Sequence, residues 1–154
     1  MSKKLSMVGY AFVIVLVGFF FYQQYIGNPN VILAYIDETD YMVQQYNDLY
    51  DGEAKAIDTS DGELTKYTEE ILIPGLKEIL AASTAYSEKI ENNELKDVHN
   101  LHTEAISYYL QAEEAWVAGE SFDEFFVKGD ELYELYEAEF GRLAEKMNVE
   151  LEWE

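Results

Sequence analysis

The residues most able to do chemistry are a histidine pair, a large set of carboxylates and a large set of tyrosines. His99-x-x-His102 holds both histidines of the chain. Three residues apart on a helix, they occupy neighbouring positions, so both rings could reach one ion. Zinc or iron would need further ligands, for which Glu94, Asp97 or carboxylates of another helix are candidates. The di-iron bundle signature, Glu-x-x-His on each of two helices, is absent, because Lys96 and His99 stand three residues before the histidines. His102 falls on an apolar stripe and reads as a core histidine, whereas His99 reads as a surface one.

Carboxylates cluster at Asp37/Glu38/Asp40, at Glu113/Glu114 and along Glu131, Glu134, Glu137 and Glu139. A solvated helix face accounts for such runs, with diffuse cation attraction as its consequence. The stretch Asp58-Thr59-Ser60-Asp61-Gly62-Glu63 only loosely resembles a calcium loop and lacks the later glutamate. Tyr35, Tyr41, Tyr46, Tyr50, Tyr67, Tyr86, Tyr108, Tyr109, Tyr133 and Tyr136 could line a groove for a peptide or glycan. Most of them fall on or beside an apolar face, so a bundle position with the hydroxyl reaching water is the simpler expectation. No G-x-S-x-G, H-E-x-x-H, P-loop or glycine-rich nucleotide turn occurs, and a non-enzymatic chain without a cofactor is expected.

The elements that must position these residues begin with an apolar stretch. Leu5 to Tyr22 (LSMVGYAFVIVLVGFFFY) carries no charge. As a helix it would span about 27 Å, close to the ~30 Å hydrocarbon core of a bilayer. Leu5, Val13, Ile14, Leu16, Phe19, Phe20, Phe21 and Tyr22 are its expected membrane-anchor residues. Lys3 and Lys4 precede it and the next cation is Lys55, which places the N-terminus in the cytoplasm and the remainder outside. A cleaved signal peptide is the main rival reading, and a buried helix of a soluble domain the lesser one. A signal peptide's apolar region is typically ~7–15 residues and ends at a small-x-small site, which QQYIGNPN does not offer.

Residues 1–27 are thus expected to form a stub and anchor, 28–147 a helical bundle outside the membrane, and 148–154 an acidic tail, extended or frayed. Pro29 can open a first helix, with Asn28 as its cap. Ile32, Tyr35, Ile36, Thr39, Met42, Val43, Tyr46, Leu49 and Tyr50 form its inner face. Two Asp-Gly pairs make 51–62 a loop, closed by a Ser60-x-x-Glu63 capping box. A second helix carries Leu64, Tyr67, Ile71, Leu76, Ile79, Leu80, Ser83, Tyr86 and Ile90, with a kink or short break at Pro74-Gly75. A third runs from Asn92-Asn93 to near Gly119 with Leu95, Val98, His102, Ala105, Ile106, Tyr109, Ala112 and Trp116 inward. Ser121-x-x-Glu124 opens a fourth, facing inward through Phe122, Phe125, Phe126, Gly129, Leu132, Tyr136, Phe140, Leu143 and Met147. The expected fold is all-α: an N-terminal transmembrane helix followed by an antiparallel four-helix bundle.

All 31 Asp and Glu lie behind the apolar stretch, against eight of the ten Lys and Arg. That field repels nucleic acid and attracts cations or basic partners. With no cysteine, thiol catalysis and disulfides are excluded. The Lys3-Lys4 head, the Ile73-Pro74-Gly75-Leu76 bend, ELKDVHNLHTEAISYYLQAEEAW (94–116), the stretch 123–141 and Leu143-Ala144-Glu145-Lys146 carry a resemblance. Over most of its length the chain resembles small signal-anchored or lipid-anchored helical surface proteins of low-GC Gram-positive bacteria such as bacilli. It lacks the lipobox cysteine of the lipid-anchored ones, so attachment would fall to the apolar helix. The resemblance implies no activity and transfers no functional residue. The expected role is a membrane-tethered accessory or interaction module with a membrane or cell-envelope protein as partner. Ligand or metal binding in the bundle interior and a passive acidic surface are the alternatives.

Overall fold

The computed structural model describes residues 14–15 and 29–153. These form an all-helical bundle. Helix α1 (Pro29–Thr59) is followed by α2 (Asp61–Tyr67), a π-helical turn (Thr68–Leu72), α3 (Ile73–Ser87), α4 (Asn93–Ala118) and α5 (Asp123–Lys146). Backbone angles stay right-handed helical through Tyr67, Thr68, Leu72 and Ile73. Hence α2, the π turn and α3 make one rod, and the bundle has four helices.

Helix α1 is longer than expected. The 51–62 stretch is not a loop, since helix runs unbroken through Asp51-Gly52 and only Ser60 interrupts it. Tyr67 explains why a glycine there favours packing over a turn. Its hydroxyl donates to Leu49 O at 2.9 Å, and its ring crosses α1 at Gly52, where a Cβ would collide with it. Ser60 Oγ accepts from the Glu63 amide at 3.2 Å, as a capping residue should.

Pro74 likewise produces no break. The first residue of α3 closes an i→i−5 bond, Ile73 N–H to Thr68 O, so the helix widens by one residue just ahead of the proline ring. That extra residue rotates the inward face. Thr68 and Leu72 are fully buried, while Ile71, expected inside, is exposed. Past the turn, Gly75 lets α3 approach α1 closely, because a Cβ there would meet Leu49 Cδ1 at 2.6 Å.

Both ends of α4 obey side-chain and glycine chemistry. Asn92 Oδ1 caps α4 through the Leu95 amide at 2.9 Å. Gly119, at φ 72°, ends it with Glu120 N–H bonded to Ala115 O. Helix α5 starts one residue later than its expected capping box: Phe122 holds the cap position without a side-chain bond, and Ser121 lies outside it. Asp123 and Glu124 instead place charge in the first turn, where the helix dipole favours it. At the far end Asn148 takes a left-handed φ of 56°, and Val149 N–H returns to Ala144 O. Val149 thereby joins the core.

Successive helices pack together and the core runs the full length of the bundle, through Ile32, Met42, Leu72, Leu76, Ile79, Ile106, Phe140 and Leu143. Among the described residues no helix is long and apolar enough to cross a membrane. Of the expected anchor, Leu5, Val13, Leu16, Phe19, Phe20, Phe21 and Tyr22 lie outside the described residues. Ile14–Val15 differ from the helix expected there, forming a two-residue antiparallel ladder with Glu152–Trp153. Two β-branched residues suit such an extended pairing.

Candidate functional site

Two polar layers cross the apolar core. The first surrounds His99, which is 1% exposed and therefore not the surface histidine its spacing suggested. Tyr35 of α1 donates its hydroxyl to Nδ1 at 3.0 Å. Nε2 lies 2.9 Å from Ser83 O and 3.1 Å from Ser83 Oγ on α3. Ser83 Oγ meets Thr103 Oγ1 at 2.6 Å, and Thr103 Oγ1 donates to His99 O at 3.1 Å. The hydrogens then have one consistent arrangement. Nε2–H donates to Ser83, the Ser83 hydroxyl to Thr103, and the Thr103 hydroxyl to the α4 backbone.

That arrangement decides the chemistry. A serine–histidine nucleophile needs an unprotonated ring nitrogen facing the hydroxyl. Here Nε2 carries its hydrogen toward Ser83, and the serine is fully buried. Burial lowers the His99 pKa, opposed in part by the Ser83 carbonyl bond. The network is a neutral strut between α1, α3 and α4.

His102 is half-buried one turn on, its ring 6.4 Å from His99 and 4.9 Å from Tyr136 of α5. Burial, with a smaller contribution from His99, brings its pKa down to about 3. The structure does bring both histidines of the expected metal pair together. Both nitrogens of His99 already hold protein hydrogen bonds, however, so an ion would have to displace Tyr35 or Ser83. Among the described residues no group of three His, Cys, Asp or Glu could hold a metal ion. Glu94, a proposed further ligand, sits at the other task of pairing with Lys146 and Arg142.

The second layer is one that spacing alone missed. Glu53 of α1 and Glu113 of α4 are both fully buried. Each acts electrostatically on the Tyr46 and Tyr50 phenols, whose pKa values burial has already raised. Tyr46 and Tyr50 are 4.7 Å apart between ring centres, and Tyr109 approaches Tyr46 at 6.3 Å. Tyr109 donates its hydroxyl to Asp130 Oδ1 at 2.9 Å. Glu53 falls in the stretch expected to be a loop, and Glu113 in an acidic run expected to be solvated. Their signal was present, since both continue the three- and four-residue spacing of their helix faces, Tyr46-Leu49-Glu53 and Ile106-Tyr109-Glu113. The loosely calcium-like stretch is no loop at all: Asp58 and Thr59 end α1, and Asp61 begins α2.

The tyrosines divide by depth. Tyr35, Tyr46, Tyr109, Tyr133 and Tyr136 are buried, Tyr50, Tyr67, Tyr86 and Tyr108 half-buried, and Tyr41 exposed. They build the core more than any groove. No family model, curated protein or solved structure matches this chain.

Proposed function

We propose that this chain is a membrane-tethered, non-catalytic interaction module, held outside the membrane by its N-terminal apolar stretch and acting on a basic surface of a membrane or cell-envelope protein. The observation that carries the reading is charge. Behind the apolar stretch eight cations face 31 carboxylates, and Lys77, Lys96, Arg142 and Lys146 are already engaged in ion pairs on the bundle surface. An acidic surface of this kind favours a basic partner and repels wrong ones. A tether supplies the effective concentration that lets weak contacts suffice.

The pairings along the rods support an antiparallel up-and-down course. Tyr67 reaches Leu49, Ser83 reaches His99, Lys77 reaches Glu114 and Glu94 reaches Lys146. On insertion as a helix the apolar stretch would have to release the two-residue ladder with the tail, which is a small cost against burying the uncharged run from Leu5 to Tyr22.

Crosslinking the full chain in native membranes at low salt, then purifying it in detergent, tests the reading. It predicts one reproducible envelope or membrane partner with a basic face, retained at ~0.05 M salt and released near ~0.5 M, where surface charge is screened. A lone monomer under all conditions contradicts it. A second reading, a ligand in the interior, is favoured by one observation: two carboxylates from different helices, Glu53 and Glu113, are fully buried and act electrostatically on the same tyrosine pair. Stoichiometric metal or small molecule in the purified full-length protein would support that reading over the first.

A further inference from the structure

The π turn that puts Ile71 outside gives α3 an exterior unlike that of the other helices. Among the described residues, Tyr41, Ile71, Val127 and Leu135 are the exposed large apolar side chains. Three of them have carboxylates one helical turn away: Asp37 and Glu38 for Tyr41, Glu124 and Asp130 for Val127, Glu131 and Glu139 for Leu135. Ile71 has none, its neighbours at that spacing being Tyr67, Thr68, Pro74 and Gly75. The whole of α3 shares this neutrality. Helices α1, α4 and α5 carry seven, five and eight carboxylates against one, one and three cations, whereas 71–87 holds only Lys77 and Glu78. Ile71, Pro74, Glu78, Ala81 and Ala85 are all exposed and follow at three- and four-residue steps, so they form one outward row, with Lys77 at its edge.

We infer that this row is the surface through which two copies of the chain meet. Charge selects the occupant. At −21 each, two copies repel wherever α1, α4 or α5 would face its counterpart, and the α3 row is free of that excess. A basic partner gains nothing there, because the carboxylates that attract it lie on the other helices. The row also complements itself under the two-fold symmetry of an isologous contact. Laid antiparallel about its midpoint, it sets Ile71 and Pro74 of one copy opposite Ala85 and Ala81 of the other, bulk against small. Lys77 of each copy then stands opposite Glu78 of the other. From Ile71 to Ala85 the row is about 21 Å long at ~1.5 Å per residue. One such helix face buries less than the ~800 Å² per partner of a standard interface, so the contact is weak and reversible. The acidic faces stay free, and salt separates the two kinds of contact. Screening weakens attraction to a basic surface and relieves repulsion between copies.

Disulfide crosslinking of the full chain in detergent tests the inference, since the chain has no cysteine of its own. Glu78→Cys lies at the midpoint of the row and Glu134→Cys on the exposed face of α5. Each removes one exposed carboxylate, so the two variants are matched in charge. Under mild oxidation Glu78→Cys should form dimer roughly tenfold faster than Glu134→Cys, because docking raises the local thiol concentration. Its rate should also be higher at ~0.5 M than at ~0.05 M NaCl. Adding Ala81→Glu to Glu78→Cys, which sets like charges into the row, should bring the rate down to that of Glu134→Cys. Equal rates at the two positions, a Glu78→Cys rate that falls with salt, or indifference to Ala81→Glu would overturn the inference. The unaltered chain supplies a check free of any substitution. Sedimentation equilibrium in density-matched detergent at ~0.5 M NaCl should show the mass rising toward a dimer with concentration, and a monomer up to ~1 mM would overturn it. Neither readout involves a basic partner, so failure here and failure to find that partner are separate results.

Discussion

At the residue scale, this bundle is fastened by a few directed contacts in a core that is otherwise apolar. Tyr35 is one of them. Replacing it by phenylalanine leaves the ring packing on Phe140, 5.3 Å away between centres, but removes the donor to His99 Nδ1. A buried acceptor left without its partner costs about 1–3 kcal/mol, so urea unfolding of Tyr35→Phe should show a loss of that order. Gly129 makes a second such point. A Cβ there would stand 2.6 Å from the Tyr109 ring, whose hydroxyl is anchored on Asp130. Although alanine is the better helix former by about 1 kcal/mol, Gly129→Ala should destabilise by roughly 1–3 kcal/mol through overpacking. Neither partner was legible in advance. Spacing identified Tyr35, Tyr109 and Gly129 as inward positions, but which side chain meets which depends on how the rods align. The two histidines show the same limit: positions 99 and 102 both border the apolar stripe, and a rotation of a fraction of a turn decided which one went inside.

At the element scale, helix number, most helix ends and most inward positions could be read from periodicity and capping residues. Asn92, Ser60 and Gly119 behave as their chemistry demands. What could not be read was the response of the backbone to its two awkward dipeptides. Asp51-Gly52 signals a turn locally, yet the burial of Glu53 and Ala56 beyond it continues the helix, and tertiary packing overrides the local preference. Pro74 signals a break, but one extra residue in the preceding turn absorbs it. The shifted face gives a direct check. Leu72→Ala should cost about 2–5 kcal/mol as a fully buried truncation, while Ile71→Ala should stay within about 0.5 kcal/mol. An unshifted helix would reverse that order, and denaturant midpoints of the two variants distinguish them.

At the scale of the whole molecule, charge dominates. The chain has 31 Asp and Glu in 154 residues, and those on the surface repel one another with few cations between them. Added salt should therefore stabilise the fold, with the melting temperature rising between ~0.02 M and ~0.5 M NaCl as the Debye length shortens. A salt-independent melting temperature would mean that the carboxylates are far better compensated than the ion pairs on the surface suggest. The same excess of charge, joined to the apolar stretch at 5–22, gives the account its central claim: a bundle held outside a membrane.

The absence of native cysteine makes that claim directly measurable. Single cysteines would be placed at Ser2, ahead of the apolar stretch, and at Glu134, exposed on α5, and intact cells treated with a membrane-impermeant maleimide. The account predicts that Glu134→Cys is labelled in intact cells and that Ser2→Cys is labelled only after lysis. Protection of both until lysis, or labelling of Ser2→Cys in intact cells, would contradict it.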